Sequence, residues 1–129
     1  MTAWARYTKS RLEGFIVEEK IILMKSDFFK ALAHPTRVRI LERLAKSAEE
    51  VCVCELIEDL GIEQSNLSQH LTIMRKQNLI ASTKVGLKVM CRIKYPEVLI
   101  ILEKVQEILA QQFREGEALM KHFSERKEN

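Results

Sequence analysis

Three side chains stand out for the chemistry they could do: Cys52, Cys54 and Cys91, the first two separated by a single valine. A thiolate is a soft donor and selects soft or borderline ions. An exposed thiolate can instead be oxidised, condensing with a neighbouring thiol to a disulfide, or be capped as a persulfide by a sulfur donor. A bridge between Cys52 and Cys54 would be strained in regular structure, which favours a metal or metalloid. Cysteine is also a common small core residue, and Cys91 alternates with Val89 and Ile93 as a core residue would. The stretch from Met1 to Gly14 carries Arg6, Lys9 and Arg11 without an apolar core, so it is not a secretory signal. A cytoplasmic location is therefore expected, where an odd number of cysteines rests as thiols.

A second cluster is neutral. Gln64, Ser65, Asn66, Ser68, Gln69 and Thr72 crowd one short stretch. Amide side chains pair with the N7 and N6 of adenine in the major groove, and hydroxyls reach bases or phosphates. His70, beside Leu71, suits either a phosphate contact or the edge of a core. Around this stretch the charge is segregated. From Ile62 to Lys94 the bases Arg75, Lys76, Lys84, Lys88, Arg92 and Lys94 face one acid, Glu63. From Glu42 to Leu60 six acids face Arg43 and Lys46. Concentrated positive charge of this kind suits phosphate ridges on both sides of a groove.

Other chemistry is not encoded. There is no Gly-rich phosphate loop, no His-based metal triad and no nucleophile with an oriented base. Glu58 and Asp59 are adjacent, so on a helix they point apart. An enzyme is not expected, nor an organic cofactor. No apolar run is long enough to cross a bilayer, so no membrane partner is expected.

The elements that position these residues follow from pattern. With 129 residues there is room for one domain and one core. Only 4 Gly and 2 Pro favour helices over a turn-rich β architecture. Residues 1–12 read as a loosely ordered basic arm, and residues 13–25 as a helix with apolar side chains on more than one face. Ser26 or Asp27 could cap a further short helix through Ala33. Pro35 suits a first helical position, and Val38, Leu41 and Leu44 continue an amphipathic helix to Lys46. A short extended piece at Val51–Val53 leads into a helix ending at Leu60, where Gly61 can cap it. After a very short turn, Gln64 to Gln77 forms a second helix with Leu67, Leu71 and Met74 inward. Two helices joined this way make a helix-turn-helix. Leu79 to Lys84 and Lys88 to Lys94 flank Val85-Gly86-Leu87 as a β-hairpin. Residues 96–123 form a long helix whose stripe from Val98 through Ile101, Val105 and Phe113 to Phe123 suits pairing with a second copy.

Ala31-Leu32-Ala33-His34-Pro35-Thr36-Arg37-Val38-Arg39-Ile40-Leu41, then Ser65-Asn66-Leu67-Ser68-Gln69-His70-Leu71, then Gly86 in a hairpin, resemble the arsenical-repressor (ArsR/SmtB-type) family over roughly residues 26–96. The resemblance implies a mainly α winged helix-turn-helix with a small β-hairpin, dimerising through terminal helices. It implies a homodimer on double-stranded operator DNA that represses transcription until an inducer binds. On the positions matched here, DNA would be met by Gln64, Ser65, Asn66, Ser68, Gln69, His70, Thr72, Arg75 and Lys76, and by Lys84, Lys88 and Arg92 of the hairpin. Two positions depart from the family pattern: Glu63 where relatives often cap with Ser or Thr, and Leu87 where many carry Arg at the wing tip.

Val51-Cys52-Val53-Cys54 resembles the family's thiolate motif, again with departures. The third cysteine of arsenic-responsive relatives is Ile57 here, and Met1 to Leu23 contains none of the additional cysteines of cadmium- and lead-responsive ones. Cys91 is the remaining candidate, since the stretch holding Cys52 can pair with the last hairpin strand. Three thiolates suit As(III) or Sb(III); Cd, Pb or Zn would need another donor. Two alternatives stay open: a redox- or persulfide-sensing repressor, and a constitutive DNA-binding protein without an inducer. His122 and Glu125 have the spacing of another family metal site, but no upstream His partner exists between His70 and His122, so His122 is read as a surface residue.

Overall fold

The computed structural model describes residues 3–128. They form two compact units, one ending at Lys94 and one beginning at Tyr95. The first unit opens with α1 (Ala3–Leu32) and α2 (Pro35–Ala45). One continuous α1 replaces the basic arm and the two helices expected from the sequence; Met1 and Thr2 lie outside the described residues. Neither Gly nor Pro occurs between Gly14 and Pro35, so nothing breaks the helix at Ser26 or Asp27. Pro35 ends it, because a residue before proline is driven out of the helical region. His34 accordingly sits at φ −152° and ψ 133°. Pro35 then opens α2, where its missing N–H leaves nothing unsatisfied.

A two-residue strand β1 (Val51–Cys52) leads directly into α3 (Val53–Leu60). Gly61 closes α3 in the left-handed region (φ 62°), its N–H donating to the Ile57 carbonyl. Ile62 and Glu63 complete the turn into α4 (Gln64–Lys76). Strands β2 (Ile80–Val85) and β3 (Lys88–Ile93) then form the hairpin. Gly86, at φ 64°, takes the first central position of its two-residue turn, as a mirror-image hairpin turn requires.

The antiparallel sheet has the order β1-β3-β2. The expected pairing of the stretch before the helix-turn-helix with the last hairpin strand is present, with Val51 opposite Cys91 and Cys52 opposite Met90. Ile40, Leu41, Leu56, Leu67, Leu71, Met74, Leu79, Ile80 and Cys91 are buried and form the core of this unit. At about 25 cal/mol per Å² of apolar surface removed from water, such side chains supply its main stabilisation.

The second unit is the helix α5 (Glu97–Glu128), five residues longer at its C-terminal end than the sequence pattern suggested. Among the described residues no helix is long and apolar enough to cross a membrane.

Candidate nucleic-acid interface and cysteine pair

The face of α4 is sorted by the helical period. Leu67, His70, Leu71 and Met74 are buried, while Gln64, Ser65, Asn66, Ser68, Gln69, Thr72, Arg75 and Lys76 are exposed. Glu63 stands at the N-cap without a side-chain cap bond, so no carboxylate covers the first N–H groups. The Thr72 hydroxyl donates to the Ser68 carbonyl at 2.8 Å, and Arg75 donates to Thr72 and to Ser82 of the hairpin, both at 3.3 Å. Arg75 therefore ties the exposed helix face to β2.

The hairpin carries its cations on two faces. Along a strand, alternate side chains point to opposite sides. Lys84 pairs with Val89 and shares the side of Ser82 and Cys91; Lys88 and Arg92 share the side of Thr83. All three cations are exposed. Arg92 is not free for phosphate: Glu50 faces its Nε at 3.8 Å and also accepts from the Thr83 hydroxyl at 2.9 Å. At the tip Leu87 is fully exposed.

His70 resolves toward the core. It is 8% exposed, and its Nδ1 accepts from Arg37 Nε at 3.1 Å. The expectation that His70 meets DNA is corrected by this geometry, because its ring faces α2 rather than the exposed side of α4. Burial lowers its pKa from 6.5, with smaller contributions in the same direction from His34 and Arg37. Sequence pattern missed both Arg37 and Glu50 as functional neighbours. Neither the alternation of charge along α2 nor the acidic stretch before Val51 gave any sign of these partners.

The cysteines divide into a pair and a single residue. Cys52 ends β1 and caps α3, its Sγ accepting from the Cys54 N–H at 3.3 Å. The Cys52 and Cys54 sulfurs are joined as a disulfide. Here the chain changes from strand to helix between the two residues, and their Cα atoms stand 5.2 Å apart, within the ordinary range for a disulfide.

Cys91 is free and fully buried. It lies opposite Val51 and Ser82, so it shares their side of the sheet, whereas Cys52 lies opposite Met90 on the other side. The three thiols expected to gather around one ion are thus not brought together. Among the described residues no group of three or more His, Cys, Asp or Glu side chains is arranged to hold a metal ion. Burial pushes the Cys91 thiol up from 9.0, opposed in part by its contact with Ser82 Oγ at 3.5 Å. His122 is exposed on α5.

A helix-turn-helix followed by a cation-bearing hairpin, packed as one unit, defines a winged-helix DNA-binding regulator. The model of the arsR family of bacterial regulatory proteins matches residues 34–82. The uncharacterised HTH-type transcriptional regulator Rv0081 of Mycobacterium tuberculosis is 38% identical over 93 residues, 71% of this chain and 80% of that one. Its crystal structure superimposes with a TM-score of 0.67, covering 74% of this chain and 94% of that one at 35% identity. NolR from Sinorhizobium fredii gives a TM-score of 0.63, covering 70% and 89% at 32% identity. The arsenic resistance regulator ArsR1 of Pseudomonas putida is 36% identical over 77 residues, 60% of this chain and 59% of that one. This chain belongs to the arsR family, a family of transcriptional regulators and not of enzymes.

Proposed function

We propose that this protein is a homodimeric repressor that reads operator DNA with α4, steadies itself on phosphates with the hairpin, and releases DNA when the Cys52–Cys54 pair changes chemical state. The carrying observation is the exposed row of amides and hydroxyls on α4 beside a hairpin with three exposed cations. Gln64, Ser65 and Gln69 read base edges; Arg75, Lys76, Lys84 and Lys88 neutralise phosphates, while Glu50 holds Arg92 back. Its place is with the DNA, in the cytoplasm.

The inducer is a thiophilic metalloid, arsenite or antimonite, captured by the reduced Cys52–Cys54 dithiol. Support comes from the adjacency of the two sulfurs and from the name of the Pseudomonas putida relative. Cys91 stays outside this site as a core residue. Cadmium, lead and zinc fit less well, since their usual four donors are not assembled. A second reading is favoured by the joined sulfurs themselves: a peroxide takes two electrons and two protons from the dithiol and leaves as water, and the disulfide is the DNA-free state.

One titration tests both. A duplex selected from random sequence is bound by reduced protein, then challenged with arsenite, antimonite, cadmium, lead, zinc and peroxide. The expected release is about 5–150-fold in affinity, the usual span of allosteric coupling. Cys52→Ser and Cys54→Ser should bind DNA without responding, and Cys91→Ser should respond as wild type. Unchanged affinity under every agent would leave a constitutive DNA-binding protein.

A further inference from the structure

The helix that reads DNA can select a sequence only if its roll is fixed. In this fold that task falls to a partly buried polar cluster. Arg37, in the first turn of α2, donates from Nε to His70 Nδ1 at 3.1 Å. Its NH1 donates to the carbonyls of Lys30 and Ala31 at 3.2 and 3.3 Å, in the last turn of α1. Carbonyls in a final helical turn lack intrahelical donors, so a guanidinium is a well-suited partner. His34 caps α2 by accepting from the Thr36 N–H at Nδ1, 3.1 Å away. Its ring lies 4.4 Å from the ring of His70, centroid to centroid. One guanidinium and two imidazoles thereby join the end of α1, the start of α2 and the middle of α4.

The hydrogen bonds fix the protons. With Nδ1 accepting from Arg37, a neutral His70 carries its ring hydrogen on Nε2. A second proton on His70 would turn its acceptor into a donor aimed at the Arg37 donor and set two cations in contact. We propose that Arg37, His70 and His34 form a proton-sensitive latch on the reading helix, so that sequence selectivity, more than affinity for DNA in general, requires a neutral His70. The proposal rests on α4 being the reading helix. His70 and Arg37 are positioning residues here, acting through α4.

The direction of the pH dependence follows. Burial first, then His34 and Arg37, lower the His70 pKa below 6.5. A histidine whose folded pKa is lowered holds its stabilising arrangement fully above the unfolded value and loses it as pH falls from 6.5 through the folded value. On the Arg37 side of the cluster, Asp27 and Lys30 on α1 and Lys76 on α4 line a shallow groove with Arg37.

The experiment measures binding of full-length reduced protein to the selected duplex and to a random duplex from pH 7.5 to 5.5, at constant salt. The ratio of the two affinities should fall about fivefold or more in wild type, the low end of coupling between linked sites. His70→Asn keeps an acceptor near the place of Nδ1 but takes no proton, so its ratio should not vary with pH. Arg37→Gln should show the low ratio at pH 7.5 already. His122→Asn should follow wild type. On the wild-type protein alone, nitrogen-detected NMR should find His70 with its hydrogen on Nε2 at neutral pH. A ratio independent of pH, a His70→Asn variant that declines in parallel with wild type, or a hydrogen on Nδ1 overturns the latch. Failure to bind any duplex preferentially at any pH overturns the DNA reading and the latch together.

Discussion

The Glu50 carboxylate accepts from Thr83 on β2 and faces Arg92 on β3, so one acid grips both strands of the hairpin. A phosphate at this strand would compete with Glu50 for the same guanidinium. Glu50→Gln keeps an acceptor for Thr83 and frees Arg92. DNA affinity should rise several-fold at low salt, with the salt slope steeper by about 0.9 for the one further phosphate that Arg92 then neutralises. Arg92 is 51% exposed, so the pair adds little to folding, and the melting temperature should barely move. Binding isotherms across a salt series check this; an unchanged slope would show that Arg92 never reaches phosphate. The outward face of α4 was legible because burial repeats at the helical period, with Leu67, Leu71 and Met74 marking the inner side. The partners of Arg92 and His70 were not legible. The Thr83–Glu50 and Arg37–His70 contacts each span 33 residues, and no local pattern specifies which distant side chain arrives.

Among the helices, strands and turns, the turn between α3 and α4 sets the geometry that DNA meets. Gly61 occupies a left-handed conformation, and a Cβ built there would touch nothing within 4 Å. The cost of a side chain is then purely conformational. Gly61→Ala should destabilise the protein by about 1 kcal/mol, the ordinary penalty for a left-handed non-glycine residue. Urea unfolding should show a lower midpoint with an unchanged slope. A loss of several kcal/mol would mean that the turn shifts and carries α4 with it. Gly61 and Gly86 made this turn and the hairpin readable, because each sits where only glycine is comfortable. The length of α1 was not readable: Ser26 and Asp27 are good caps, yet they have equal right to sit inside a helix that has no breaker. The division of the three cysteines also escaped the sequence. It depends on strand register, and a shift of one residue would have put Cys52 and Cys91 on the same side.

Across the protein as a whole, apolar side chains are left in water. On α1, Phe15, Ile16, Ile22 and Phe29 are each more than half exposed; on α5, so are Ile108, Leu109, Phe113 and Phe123. Exposed apolar surface of this extent marks an interaction surface. A second copy is the proposed occupant. Ile101→Asp with Val105→Asp should give monomers that bind operator weakly, because each half-site contact then loses its tethered twin. Sedimentation of both proteins, with DNA binding measured alongside, decides the matter; a wild-type monomer with tight DNA binding would refute it. The stripe was visible in the sequence from its spacing alone.

Cys91 gives this molecule a built-in clock. It is a free thiol beside a joined pair, on the central strand, with β1 on one side and β2 on the other. A reagent meets this sulfur only when the sheet parts, and the raised thiol pKa keeps the reactive thiolate scarce until it does. Under non-reducing conditions the labelling rate therefore counts openings of the sheet, and operator DNA that holds the hairpin in place should slow that count.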